Sequence, residues 1–328
     1  MTSGMDTTPD GRHGKSEAWV REWVGWCELD PPGDVVAGSW GSWRLTFHVG
    51  RYGVDDGGTL VLSRRFASDW ARPQTDNPLA DHYARAETSG GARLRLRWDL
   101  KSNVRPWQNG LVVDVFDSYL AEGDTVTITL GDRSAGGRGD RAQTFCERRH
   151  RMRLFADCFG AGQFIEAAGT PTFSIVPGPP ARLTLHGPTE QAPGEESWLL
   201  IKLEDEWGNP CEGAPAEARL RAEGGACAGL PDSVRFEAEG PAVIRLEGLR
   251  WEASGLGEAG ISGGASGPGK ADAPGGGDLG RVLAEVDFSG GAPLQGAGNR
   301  IRVLEKARKW RPYWGDLHGQ SEETVGTN

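Results

Sequence analysis

Between residues 40 and 130 the chain repeatedly alternates apolar and polar side chains with a period of two, and this constrains its fold more than any other feature. Trp43, Leu45, Phe47 and Val49 share one side of such a stretch, and Leu94, Leu96, Trp98 and Leu100 share one side of another. Val126, Ile128 and Leu130 alternate with Thr125, Thr127 and Thr129, while Val113 and Val115 mark a further segment. A period of two sends successive side chains to opposite faces of a β-strand; a helix would need apolar residues every three or four positions. Asp55-Asp-Gly-Gly58 supplies a turn before a strand at 59–62, because Asp and Gly tolerate the backbone angles of tight turns. Residues 144–155 read as an edge or return strand, and 64–81 and 131–140 as long polar loops. Short strands separated by turns indicate an antiparallel sandwich rather than βαβ units.

Pro177-Gly-Pro-Pro180 is a stiff linker and marks a domain boundary. After it come further strand candidates at 183–185, 199–203, 234–236, 243–246, 282–288 and 301–303, with Asp205-Glu-Trp-Gly-Asn-Pro210 as a turn between two of them. Residues 255–280 contain 11 glycines in 26 positions. Such a segment has too little apolar surface to offset its ordering entropy and reads as a disordered insert. Without it, residues 181–304 approach the ~100 residues of an immunoglobulin-like sandwich. The expected organisation is therefore all-β: a flexible tail and lead-in at 1–38, a β-sandwich at 39–176, a second, immunoglobulin-like sandwich at 181–304, and the start of something new at 305–328. Within the lead-in, residues 17–26 fit a short helix capped by Ser16 or an extended strand equally well. Gly and Pro, 50 and 20 residues, suit such a turn-rich protein, and 13 tryptophans argue against wholesale disorder.

The net charge of -10 and pI of 5.2 speak against a nucleic-acid partner, which calls for a basic excess or stripe. Arg93, Arg95 and Arg97 form a local stripe, but they alternate with Leu94, Leu96 and Trp98 as the wet face of one strand would. No apolar run approaches the ~20 residues that span a bilayer, and residues 1–16 lack the apolar core of a signal peptide. The expectation is a cytoplasmic protein with no membrane partner. Five cysteines without a C-x-x-C pair fit that compartment as buried or inert thiols.

Two short motifs carry little. Gly255-Leu-Gly-Glu-Ala-Gly260 matches the dinucleotide pattern but lies in low-complexity sequence without a βαβ context. Arg138-Gly-Asp140 matches an adhesion tripeptide within a Gly/Arg-rich loop, where chance accounts for it. A stronger signal is Asp316 and His318, whose i, i+2 spacing puts both side chains on one face of a strand, within reach of one metal ion. Imidazole and carboxylate suit zinc, manganese or iron.

Tyr313-Trp-Gly-Asp-Leu-His-Gly-Gln-Ser-Glu-Glu-Thr-Val-Gly-Thr-Asn328 closely resembles the opening motif of the DUF3604 family, which is related to the PHP superfamily of metal-dependent phosphoesterases. Upstream, Tyr52-Gly-Val-Asp-Asp-Gly-Gly58, Arg65-Phe-Ala-Ser-Asp-Trp70, Arg105-Pro-Trp107 and Arg141-Ala-Gln-Thr-Phe-Cys146 are similar to the N-terminal β region of that family. The resemblance implies that a PHP-like (β/α) barrel follows, with a cluster of divalent metals (Zn, Mn or Fe) in the full-length protein. His318 would be a metal ligand, and Asp316 a ligand or the group orienting it. Gln320 stands where the superfamily usually has a second His, so it would bind metal weakly or touch substrate instead. The chain stops ten residues past His318, short of the ~200 residues a barrel needs, so it is read as an inactive front fragment. Arg65 and Arg105, with Gln320, are the candidate substrate-binding residues. The loops around 64–70, 105–107 and 141–147 are expected to pack against the catalytic domain and shape its entrance, or to form a binding patch. The expected partners are that domain and a small phosphorylated substrate. Two rival readings are a non-catalytic β-sandwich binding or adhesion protein, and an interaction module left by gene truncation.

Overall fold

A computed structural model describes residues 12–65, 67–100, 109–192, 194–252, 279–288 and 293–304. The chain divides into two units, with the boundary between Val176 and Pro177, and both are built almost wholly of strands. Among the described residues no helix is long and apolar enough to cross a membrane. The Gly-rich stretch read as an insert falls outside the described residues, apart from Leu279 and Gly280, which open a strand.

The first unit begins with one helix, α1 (Glu17–Trp23). Ser16 caps it by accepting the Trp19 amide at 3.2 Å, satisfying one of the amides a helix start leaves without a partner. The chain turns out of it at Gly25, whose φ of +135° favours glycine, and where a Cβ would lie 2.3 Å from His48 O. The lead-in is thus helix and then strand, which settles the two readings left open. The strands that follow are β1 (Gly25–Asp30), β2 (Val35–Val36), β3 (Trp40–Gly41), β4 (Trp43–Val49), β5 (Thr59–Ser63), β6 (Ala84–Thr88) and β7 (Arg93–Asp99). They continue with β8 (Gly110–Phe116), β9 (Thr125–Leu130), β10 (Asp140–Arg141), β11 (Glu147–Arg151), β12 (Arg153–Asp157), β13 (Ile165–Glu166) and β14 (Thr172–Val176).

One sheet runs β1-β4-β9-β6 and another β13-β12-β5-β8-β7. Their apolar faces meet in a single core, with Leu45, Phe47 and Ile128 from the first and Leu60, Leu62, Val113 and Leu154 from the second, all 0–2% exposed. Burying each such side chain contributes about 1.5–3 kcal/mol relative to leaving it in water. Two expectations are corrected. The lead-in does not end outside the sandwich at residue 38, because β1 pairs with β4 along its whole length and β2 joins β14. The 144–155 stretch is not one strand: it breaks at fully buried Met152, so that β11 joins β14 and β12 joins β5 in a different sheet. The arginine stripe is neutralised where it stands. Arg95 and Arg97 both donate to Asp114, at 3.0 and 3.1 Å, and Arg93 to Asp117 at 3.1 Å.

The second unit contains β15 (Arg182–His186), β16 (Glu190–Gln191), β17 (Ser197–Glu204), β18 (Ala216–Glu223), β19 (Cys227–Ala228), β20 (Ser233–Phe236), β21 (Val243–Trp251), β22 (Leu279–Val286), β23 (Leu294–Ala297) and β24 (Ile301–Val303). One sheet is ordered β15-β17-β21-β19 and the other β16-β24-β22-β18-β20, with β23 also pairing with β22. Ile201, Leu203 and Leu249 of the first and Ala218, Phe236 and Val286 of the second fill one core, the arrangement of an immunoglobulin-like sandwich.

None of the five cysteines is disulfide-bonded, and Cys27, Cys158 and Cys211 are buried. Burial first, and nearby carboxylates second, push the thiols of Cys27 and Cys158 up to about 12. A thiol reagent acts on the thiolate, so neither should be labelled in the folded protein at pH 8, and both should be labelled after unfolding. Peptide mass spectrometry showing either one modified without denaturant would contradict this packing.

Candidate functional site

On the first unit, the connection after β5 turns back over the sheet and meets the β10–β11 connection. Asp69 does the joining: its carboxylate accepts from Thr144 N at 2.8 Å and Thr144 Oγ1 at 2.5 Å, and its carbonyl accepts from Arg141 Nη2 at 3.1 Å. Ala71 N donates back to Arg141 O at 3.0 Å. Ordering two loops by hydrogen bonds to a carboxylate is stronger than by neutral pairs of the same geometry.

Beneath this junction lies a buried polar centre. Asp140, 0% exposed, accepts from Trp70 Nε1 at 2.9 Å and bonds His82 Nδ1 at 2.9 Å. Trp70 stacks on buried His150 with ring centroids 5.3 Å apart and sets its edge against Trp43 at 4.8 Å. His150 Nδ1 in turn bonds Glu147 Oε2 at 3.0 Å, and Gln143 Nε2 donates to the same oxygen at 3.1 Å. Burial acts to raise the Glu147 carboxyl, but these hydrogen bonds and the Arg65 charge 3.5 Å away hold it below the ordinary glutamate value. The chain can approach this closely at Asp140 because Gly131, at φ +66°, has no Cβ; one would stand 2.1 Å from Asp140 N.

Above the centre opens a groove of about 230 Å³. Arg64 forms its floor: the side chain is buried between two indoles, 5.8 Å from the Trp70 centroid and 5.7 Å from that of Trp98, with Nη1 donating to Ala71 O at 3.3 Å. Burial lowers the guanidinium pKa from its ordinary value, and the Asp140 charge opposes that shift. Arg72 Cζ lies 5.9 Å from the Trp98 ring centroid, and Arg65, Ser68 and Asn109 complete the polar wall. Both ring contacts have cation–π geometry. A larger depression of about 420 Å³ on the second unit lies over β18, β22 and β23, lined by Arg219, Arg221 and Glu285. There Arg219 pairs with Glu285 at 2.7 Å, and Gln295 donates to the same glutamate at 3.0 Å.

Of the residues expected from sequence to form a site, Arg65 lies in the groove wall. Arg105, Asp316, His318 and Gln320 lie outside the described residues. Among the described residues no group of three or more His, Cys, Asp or Glu side chains is arranged to hold a metal ion. Asp140, the acidic member of the adhesion-like tripeptide, is wholly buried, while Arg138 pairs with Asp81 at 2.6 Å and lies 3.9 Å over Trp40. Neither is presented as an adhesion ligand requires. Sequence reasoning missed Arg64, Arg72, Trp98, Asp140 and His150 as site residues. Trp98 was read as one more apolar position of a strand, and only its place at the strand end beside a run dense in Arg and Trp could have singled it out.

No family model matches the chain, and no curated protein matches it. Among solved structures it is similar to red sea bream transglutaminase, at 9% identity and a TM-score of 0.22, covering 86% of this chain and 31% of that one. A Corynebacterium diphtheriae protein described as membrane anchored gives 13% identity and a TM-score of 0.26, with 87% of this chain and 55% of that one covered. The collagen adhesin of S. aureus gives 9% and 0.18, with 88% and 97% covered. The chain thus spans about a third and about half the length of the first two. At these scores no functional argument follows from the likeness.

Proposed function

We propose that the chain is the β-rich front part of a metal-dependent hydrolase of the DUF3604 type, a phosphoesterase acting on small phosphorylated molecules, whose catalytic domain begins near residue 305. The observation that supports this reading is the meeting of two separate stretches that resemble the family. Residues 65–70 and 141–146 are 75 positions apart at their closest tie, Asp69 to Thr144, yet they build one junction on the first unit. In this reading His318 and Asp316 are the first metal ligands and Gln320 a weaker ligand or substrate contact, while the junction shapes the approach to the site. A bound divalent ion would supply Lewis-acid chemistry and an activated water.

Two measurements test it. The reading frame past codon 328 should continue into further His and Asp clusters; an immediate stop codon would overturn the reading. In that longer product His318→Ala should lower metal affinity by at least about tenfold, with turnover falling in step. Unchanged metal content and turnover would remove His318 from the site. A second reading, a stand-alone β-sandwich binding protein, is favoured by one specific feature: among the described residues the groove is walled by the first unit. With the aspartate of the tripeptide buried, it rests on that groove, not on adhesion.

A further inference from the structure

The groove wall between Arg64 and Asn109 offers hydrogen-bond donors from several directions and no carboxylate of its own. Arg64, Arg65 and Arg72 contribute three guanidinium groups, and Ser68 and Asn109 a hydroxyl and an amide. Trp98 adds an indole N–H that is buried and has no hydrogen-bond partner among the described residues. A buried donor left in that state costs free energy, and an acceptor arriving from outside would recover it. The carboxylates nearby are already committed: Asp69 to Thr144 and Asp99 to Arg97. Asp140 holds Trp70 and His82 from below, and Glu147 holds His150, Gln143 and Arg65. Arg72 is exposed and has no carboxylate partner among the described residues. This concentration of positive charge stands on a chain whose net charge is -10, so it is local in origin.

We propose that the groove is a receptor for a phosphate monoester dianion on a small polar molecule. Three guanidinium groups, of which Arg64 and Arg65 each keep part of their donors on Ala71 O and Glu147, suit a tetrahedral dianion with three terminal oxygens better than a carboxylate, which brings one charge and two oxygens. Size narrows the class. A volume of about 230 Å³ is below the ~300–1,000 Å³ of sites that take drug-sized or cofactor ligands, which suits a triose- to hexose-sized phosphate. Arg64 is held before the ligand arrives: its side chain is buried, two indole centroids lie within 6 Å of its Cζ and the Ala71 carbonyl accepts from one end, so little side-chain entropy is lost on binding. This inference concerns binding alone. It does not depend on the hydrolase proposal, which rests on His318 and metal content, so each can fail without the other.

Calorimetric titration of the 328-residue chain at low ionic strength tests it, with inorganic phosphate, sulfate, glycerol 1-phosphate, acetate and glycerol as probes. Phosphate and glycerol 1-phosphate should bind at one site per chain with a dissociation constant on the order of 1 mM or tighter, weakening as KCl is added. Acetate and glycerol should give no saturable heat. Arg72→Ala should weaken phosphate binding about tenfold or more, and Trp98→Phe, which keeps the ring and deletes the N–H, about threefold or more. Arg93→Ala, in the neutralised stripe, should change nothing. The proposal is overturned if phosphate gives no saturable binding at ~10 mM, or if Arg72→Ala and Trp98→Phe bind it as wild type does. It is also overturned if Arg93→Ala weakens binding as much as Arg72→Ala, because the attraction would then be general surface charge. Tight sulfate binding with weak phosphate binding would likewise overturn the assignment to a phosphate monoester.

Discussion

Asp140→Ala is expected to lower the stability of the first unit by about 3–5 kcal/mol, the range for removing one partner from a buried charged network. The side chain is wholly inaccessible and is the acceptor for both Trp70 Nε1 and His82 Nδ1, each at 2.9 Å. It also supplies the charge that opposes the effect of burial on Arg64. Without it, the buried Trp70 indole N–H loses its partner and the largely buried Arg64 guanidinium loses its counter-charge. Asp140→Asn keeps an acceptor oxygen and gives up the charge, so it should fall between wild type and alanine. Urea unfolding, with hydrogen exchange to assign the loss to β10 and the loop at 67–72, measures both. A change below ~1 kcal/mol for alanine would mean that the loops are held by the Asp69 ties alone.

Asp205→Ala should cost the second unit about 3 kcal/mol or more at neutral pH. This carboxylate is 0% exposed and organises the turn after β17. Its Oδ1 accepts from Trp207 N at 2.9 Å and Asn209 N at 2.8 Å, and its Oδ2 from Asn209 Nδ2 at 2.9 Å and Gly178 N at 3.0 Å. Each donor stranded in a buried site costs roughly 1–3 kcal/mol, with strong overlap among neighbours. Burial acts to raise the Asp205 pKa, but the hydrogen bonds from Asn209, Gly178 and Trp207 prevail and hold it below the ordinary aspartate value. A depressed folded-state pKa means the contribution is fully present above the unfolded value, about 3.9, and is lost as pH falls through the folded one. The gap between wild type and Asp205→Ala should therefore be constant from pH 7 to about 5 and narrow towards pH 2. An equal gap at both ends would show that the carboxylate's charge plays no part in the turn.

The strands were legible where one face is buried and the other wet. β4 and β9 carry their alternation openly because each has one side in the core and a less buried other side, up to Thr129, which is buried as well. β6 was not read, since Ala84, Arg85, Ala86, Glu87 and Thr88 offer only small apolar residues and the strand takes its place from pairing with β9. The break at Met152 was equally hidden, because the residues on either side are all strand-like and only the sheets they join differ. The turn at Asp205 was legible from its residue types, as Asp, Gly and Asn bond their own backbone. The groove was legible in part. Arg65 and Trp70 stood out in a run dense in Arg and Trp, but Trp98 reaches them through the pairing of β7 with β8 and of β8 with β5. Asp140 looked like an exposed loop residue and proved to be wholly enclosed, as are His150 and Gln143 of the same centre.

The tie between Asp69 and Thr144 spans 75 positions of chain. On a ribosome adding roughly 5–20 residues per second, the arginine-bearing half emerges some 4–15 seconds before the half that will hold it. Through that interval Arg64, Arg65 and Trp70 belong to an unclosed loop, with neither Asp140 nor Thr144 yet made. The groove is accordingly a property of the finished sandwich, and a nascent chain stalled before residue 140 would carry its cationic residues without the shape that organises them.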